Sequence, residues 1–268
     1  MSDFVGKVVV VTGGSNGIGK ALVEQLLQKG CKVATCGRNY ERLYELQTGN
    51  PGKPLHIATA DVSKESDCVH FIQSVIKAFG TIDILINNAG VSMRALFADT
   101  ELKTLHTLMD VNFWGTVYCT KFALPEIIKN KGTIVGVSSI AGLRGLPGRT
   151  GYSASKFAVN GFLEALRTEL LDDGVNVMWV APGFTNSNIR NEALDKDATA
   201  QKENPMDESK MMSAAECATI IIHAIEKRKR NSVLTFLGQR TAIMSKLFPK
   251  ITDKMVRNFY FKDGKLVK

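Results

Sequence analysis

Lys7-Val8-Val9-Val10-Val11-Thr12-Gly13-Gly14-Ser15-Asn16-Gly17-Ile18-Gly19 (KVVVVTGGSNGIG) sets an unbroken β-branched run directly before a glycine-rich turn. Four successive valines offer no polar face, so the strand is expected to be buried on both sides, as in a parallel sheet. Gly13 permits a sharp turn, Gly17 lets backbone approach a ligand, and Gly19 allows a helix to pack closely on the strand. Ile18 to Lys29 then has helical periodicity and is closed by Gly30. Strand, glycine turn and helix in that order leave free N–H groups and the positive end of a helix dipole at the strand's carboxyl end. That is the geometry of a phosphate site.

Outward from this unit the same alternation continues. Strands are expected at Lys32 to Cys36, Leu55 to Ala60, Ile82 to Ile86, Thr133 to Val137, Val175 to Ala181 and Ser232 to Phe236. Helices are expected at Tyr40 to Gln47, Lys64 to Phe79, Leu102 to Val111, Trp114 to Lys129 and Arg149 to Leu171. Strands alternating with helices imply right-handed crossovers. The predicted fold is one doubly wound (Rossmann-type) parallel α/β sheet of about seven strands with helices on both faces. Ligands then bind beyond the carboxyl ends of the strands. The polar stretch Thr185 to Ala214, with Pro205, breaks the alternation and reads as a lid over a site. Residues 1–238 are therefore expected to form the catalytic unit, with the lid at about 185–214, and 239–268 a basic amphipathic tail.

Composition removes several classes of function. The 268 residues are 44% hydrophobic, enough for a substantial core. The N-terminus lacks the basic and apolar regions of a signal peptide, and no run of about 18 apolar residues could span a bilayer. The five cysteines are scattered without metal or redox spacing, which fits small apolar residues in a reducing cytosol. No metal site is expected. The expected location is cytoplasmic, with a peripheral membrane contact open to the tail. Charge is uneven: Lys227 to Lys268 holds 12 Lys and Arg against two Asp, or +10, so the net +8 leaves −2 for the rest. No recognised nucleic-acid module accompanies the basic tail.

Two features bear on chemistry. Where many such sheets place a carboxylate to bind a ribose 2′-OH, the second strand ends Thr35-Cys36-Gly37-Arg38-Asn39. A guanidinium suits a 2′-phosphate, so NADP(H) is expected over NAD(H). Gly151-Tyr152-Ser153-Ala154-Ser155-Lys156 puts a phenol and an ammonium one helical turn apart on one face. Alone, that spacing does not separate a working pair from a solvated one.

Taken together, Thr12-Gly13…Gly17-Ile18-Gly19, Asp61-Val62, Asn87-Asn88-Ala89-Gly90, Asn112, Ser138-Ser139, Tyr152…Lys156 and Pro182-Gly183 resemble the short-chain dehydrogenases/reductases, in that family's order and spacing from about residue 5 to 185. The resemblance implies an NAD(P)-dependent oxidoreductase acting on ketones and secondary alcohols. It implies that Ser139 holds the substrate carbonyl, in preference to Ser138 because it lies thirteen residues before Tyr152. Tyr152 would be the general acid or base, Lys156 would bind the nicotinamide ribose and lower the Tyr152 pKa, and Asn112 would anchor a relay water. Gly13, Ser15, Asn16, Gly17, Ile18, Gly19, Arg38, Asp61, Val62, Asn88, Ala89, Gly90, Pro182 and Gly183 would line the cofactor with Tyr152 and Lys156. Gly37 stands where NAD-preferring members carry their aspartate. Ser139, Leu146, Tyr152 and Phe184 would contact substrate, with walls from Val91 to Phe97, Leu143 to Gly148 and the lid. The helices at 114–129 and 149–171 would pair across a two-fold axis in a homodimer or homotetramer. A non-catalytic dinucleotide sensor or scaffold on the same fold is the alternative, and the presence of both Tyr152 and Lys156 argues against it.

In the tail, Met244, Phe248, Ile251, Met255 and Phe259 recur at helical spacing beside a row of Lys246, Lys250 and Lys254. Such a segment can lie in a membrane interface. It can equally close the substrate pocket or pack on a partner subunit. Pro249 is expected to begin or kink a helix. The patterning loosely resembles family members acting on lipophilic ketones.

Overall fold

The computed structural model describes residues 4–186, 189–201 and 211–267. Seven strands form one parallel sheet in the order β3-β2-β1-β4-β5-β6-β7. They are β1 (Val8–Thr12), β2 (Lys32–Gly37), β3 (Leu55–Thr59), β4 (Ile84–Asn87), β5 (Thr133–Val137), β6 (Asn176–Ala181) and β7 (Asn231–Val233). The order reverses at β1, which pairs with β2 on one side and β4 on the other. Crossovers leave the sheet in opposite directions there, so a crevice opens beyond the carboxyl ends of β1 and β4.

The period of two sorts each strand between two cores. Val8 and Val10 of β1 join Leu85 of β4 and Ile134 of β5 beneath α3 (Glu65–Phe79), α5 (Gly115–Lys129) and α6 (Thr150–Glu169). Val9 and Val11 join Ile86 and Val135 beneath α1 (Gly17–Gln28) and α7 (Ala214–Glu226), with α2 (Tyr40–Thr48) at the edge. Both faces are covered, which is why the strands read as apolar runs. Gly136 allows α6 to approach: a Cβ there would lie 2.4 Å from Leu163 Cδ1.

The expected strands and helices recur within a few residues, with differences at the C-terminal end. The seventh strand stops at Val233 rather than Phe236, because Thr235 caps the next helix, accepting from Gly238 N at 3.2 Å. Helix α7 is an addition to the sequence reading. Its signal is the capping box Ser213…Glu216, in which Ser213 Oγ accepts from Glu216 N and Glu216 accepts from Ser213 N. Between α4 (Leu102–Met109) and α5 the backbone widens into one π-helical turn, Asp110–Trp114, that carries Asn112.

The stretch expected as a lid lies partly outside the described residues, Pro205 included. Its described parts are tied down by backbone pairing: Leu194 N donates to Ser92 O at 2.8 Å, and Arg94 N donates to Leu194 O at 2.9 Å. Thr185 bridges Met212 where the segment returns to α7.

The tail forms α8 (Phe236–Leu247), α9 (Pro249–Tyr260) and a hairpin of β8 (Phe261–Lys262) and β9 (Lys265–Leu266). Pro249 begins α9, where its missing N–H costs nothing. Asp263 and Gly264 turn the hairpin with φ of 50° and 73°, the left-handed geometry an Asp-Gly pair favours. The hairpin was legible in that dipeptide but is absent from the sequence expectations. Thr252 and Tyr260 of α9 are buried, whereas Phe236, Leu237, Ile243, Leu247, Phe248, Ile251 and Met255 are exposed. No described helix is long and apolar enough to cross a membrane.

Candidate active site

Backbone bonds from β1 and β4 build the floor of the crevice. Thr12 Oγ1 accepts from Asn88 N and Ala89 N, each at 3.0 Å, and Asn88 Nδ2 donates back to Thr12 O at 2.9 Å. The two strand exits are thus locked together. Gly13 has a φ of 70°, and a Cβ there would lie 2.9 Å from Ala89 Cα, so both conformation and space require glycine. Asn16 caps α1 by accepting from Gly17 N at 2.7 Å, and no acidic residue stands in the first turn. An anion at this helix end meets no competing carboxylate from α1 itself.

A single cleft runs from Arg38 to Tyr260. Its lining includes every residue assigned above to the glycine turn and to the exits of β2, β3, β4 and β6, together with Ser139, Leu146, Tyr152, Lys156 and Phe184. Asn112 does not line it. It is fully buried behind the wall, where its Oδ1 accepts from Val91 N at 2.8 Å and its Nδ2 donates to Val91 O and Ser155 Oγ, both at 2.9 Å. The side chain is thereby committed to clamping the β4 exit against α6.

At the β2 end, Arg38 is exposed at the cleft wall, and Arg42 from the next helical turn joins it. Arg42 Nη1 lies 3.3 Å from Glu192 Oε1 of the lid stretch. Arg42 was missing from the sequence reading although its spacing from Arg38 made it findable. Asp61 also lines this end, its carboxylate held by Ser63 N and Oγ at 3.1 and 2.8 Å.

At the opposite end lie Ser139, Tyr152 and Lys156. Ser139 caps a short helical turn, its Oγ accepting from Ala141 N at 3.1 Å. Burial raises the Tyr152 phenol above its ordinary value; a hydrogen bond from Ser139 and the nearby Arg149 guanidinium pull it back. Ser139 rather than Ser138 meets the tyrosine. The Ser138 hydroxyl is buried without a hydrogen-bond partner. Lys156 Nζ donates to Val137 O at 2.9 Å, and burial pushes its pKa down to about 8. It sits 5.8 Å from the Tyr152 ring centre. The groups that oppose the rise at Tyr152 here are thus Ser139 and Arg149.

Arg149, Arg190 and Tyr260 complete the substrate end and were absent from the sequence reading. Tyr260 reaches the cleft from the tail, more than a hundred residues from Tyr152, so no local pattern links them. Phe184 stacks on Phe259 with ring centres 6.0 Å apart. A Cβ at Gly148 would lie 2.6 Å from Leu266 Cδ2, which fixes the hairpin against the pocket wall.

No group of three or more His, Cys, Asp or Glu among the described residues could hold a metal ion. The cleft does fit an extended dinucleotide: glycine backbone and a helix N-terminus lie between a cationic end at Arg38 and Arg42 and a buried hydroxyl–ammonium end.

Residues 7–198 match the family model for short chain dehydrogenases. The chain is 37% identical over 230 residues to 11-beta-hydroxysteroid dehydrogenase-like 4A of Arabidopsis thaliana, covering 84% of this chain and 75% of that one. It is 32% identical over 269 residues to dehydrogenase/reductase SDR family member 7B of Rattus norvegicus, covering 96% and 82% respectively. A short-chain dehydrogenase/reductase from Burkholderia phymatum, solved in complex with NAD, shares the fold with a TM-score of 0.82 at 23% identity, covering 94% of this chain and 96% of that one. The chain belongs to the short-chain dehydrogenase/reductase family, and it is an NAD(P)-dependent oxidoreductase acting on CH–OH and C=O groups.

Proposed function

We propose that this enzyme catalyses reversible hydride transfer between NADP(H) and a lipophilic ketone or secondary alcohol. The observation that carries the reading is the convergence of Ser139, Tyr152 and buried Lys156 at one end of a cleft whose other end is cationic. When bound, the dinucleotide supplies the hydride in reduction and accepts it in oxidation. Tyr152 gives its phenolic proton to the carbonyl oxygen in reduction and takes it back in oxidation. Ser139 donates a hydrogen bond to the same oxygen and so stabilises the charge that develops there. Lys156, bonded to Val137 O, would hold the nicotinamide ribose once the cofactor is bound, and its charge would then favour the phenolate. Asn112 braces the wall behind the pair through Val91 and Ser155.

Arg38, supported by Arg42, takes the 2′-phosphate, for a guanidinium pairs with phosphate in a bidentate manner and the β2 exit offers no carboxylate. Arg42 also engages Glu192, which keeps that acid from opposing the phosphate.

Residues 1–238 act as the catalytic unit and 239–268 as the tail. The exposed Ile243, Leu247, Phe248, Ile251 and Met255, interleaved with Lys246, Lys250 and Lys254, support a peripheral contact with an anionic membrane surface. Exposed Trp114 and Phe157 support a homodimer or homotetramer through α5 and α6. Light scattering checks the last point, and a monomer at working concentration would refute it.

The central test is turnover of a ketone and alcohol panel, weighted toward lipophilic compounds, with NADPH, NADH and their oxidised forms. NADPH-dependent reduction that vanishes in Tyr152→Phe is expected. Undiminished turnover in that variant would remove Tyr152 from its role.

A further inference from the structure

The substrate end of the cleft holds a guanidinium in addition to Ser139, Tyr152 and Lys156. Arg149 is 8% exposed and lines the cleft one helical turn before Tyr152. Its Nη1 donates to Ser92 Oγ at 2.9 Å and to Met93 O at 3.4 Å, and its guanidinium lies beside the Tyr260 phenol. All of these partners are neutral, and among the described residues no carboxylate pairs with it. A guanidinium stays charged at any working pH. Burying one without a counter-charge is costly, and apolar surroundings strengthen its pull on any anion that arrives.

The neighbourhood adds positive potential. Arg149 is the N-cap residue of α6, whose first turn has no acidic side chain. Lys156 lies deeper in the same cleft. Among the described residues the two carboxylates lining the cleft are engaged elsewhere, Asp61 by Ser63 and Glu192 by Arg42. A purely apolar ketone would leave the Arg149 charge without an anionic partner.

We propose that the substrate carries an anionic oxygen group, a carboxylate or a phosphate ester, on its apolar body, and that Arg149 receives it beside Tyr260. Arg149 is then a specificity-determining residue, and the substrate class is an amphipathic oxo-acid or phosphorylated ketone. This rests on the reading of Tyr152 as the proton donor, for the reacting carbonyl must lie within reach of both side chains.

The test is a binding measurement on the full-length chain with saturating NADPH, by thermal shift, using decanoate, decyl phosphate and methyl decanoate as probes. At least one anionic probe is expected to bind ten or more times tighter than the ester, and the two anions compared with each other tell carboxylate from phosphate. Arg149→Met should bring the anion-to-ester ratio to within about threefold of one. Arg149→Lys should retain preference for decyl phosphate while losing most of that for decanoate, since an ammonium cannot offer the planar fork. Equal affinity of the wild type for all three probes, or an unchanged ratio in Arg149→Met, overturns the proposal and leaves Arg149 as a staple between α6 and the β4 exit. If Arg149→Met does not fold, the wild-type ratio and the lysine variant still decide. Because binding needs no turnover, an enzyme inactive on every ketone would refute the reaction reading alone.

Discussion

The cleft floor and the C-terminal helices satisfy their side chains in opposite ways. At the floor, Thr12, Asn88 and Asn112 spend their polar atoms on backbone of neighbouring elements at 2.8–3.0 Å. Nothing there can shift without breaking several buried bonds, each expensive to leave unmade. In α8 and α9 one side is anchored through Thr252, Tyr260 and the Arg144–Asp253 ion pair, while a broad apolar side stays open. The contrast separates a rigid frame for the shared chemistry from a segment free to adapt to substrate and surroundings. Tyr260, Phe259 and Leu266 are where the adaptable part touches the frame.

The largest expected effect lies on the frame. Tyr152→Phe should lower kcat by about 10²- to 10⁴-fold with NADPH affinity little changed, measured by steady-state kinetics and cofactor titration. Comparable loss on deleting the tail alone would erase the distinction. Arg38→Ala should raise the KM for NADPH by roughly 10- to 100-fold, as expected for a lost charge-assisted phosphate pair, and leave NADH nearly unaffected. Equal effects on both cofactors would sink the phosphate assignment. A chain ending at Gly238 loses Tyr260 and Leu266, so the KM for ketone should rise by about tenfold while the Kd for NADPH holds, since substrate contacts go and the cofactor cradle stays. In flotation assays the intact chain should follow anionic vesicles and the shortened chain should not, with binding weakened by salt. Identical flotation would mean that the apolar side of the tail serves a protein partner.

The smallest effect concerns stability. Lys156 has a folded pKa of about 8 against an ordinary 10.5. For a base lowered on folding, the fold disfavours the charged form, so the penalty is full below about 8 and disappears as pH rises toward 10.5. In the absence of cofactor, Lys156→Met should therefore be more stable than wild type at pH 7, by about 1 to 3 kcal/mol, with the difference shrinking between pH 8 and 10. Chemical denaturation at several pH values checks this, and a variant less stable at pH 7 would show that the bond to Val137 O outweighs desolvation.

What could be read from sequence follows from range. The β1–α1 unit, the parallel sheet and the Tyr152–Lys156 face were legible because a period of two, a period of 3.6 and a glycine turn are local constraints on the backbone. The Ser139 choice rested on spacing, and the fold brings Ser139 beside Tyr152. Helix α7 and the final hairpin also had local signals, in Ser213…Glu216 and Asp263-Gly264, that a reading centred on hydrophobic periodicity passes over. Asn112 differs: its place in the motif was evident, but only the π-helical turn and the β4 exit commit its amide to Val91 and Ser155.

The sequence by itself determined the architecture, the end of the sheet where the cleft opens, and the face that Tyr152 and Lys156 share. The tertiary structure decided which charges stand bare in the cleft and which are matched. Arg149, Arg42, Glu192 and Tyr260 come from a helix cap, an edge helix, a loop and the tail. Whether a charge is paired depends on what folds against it, and burial multiplies the consequence of leaving it unpaired.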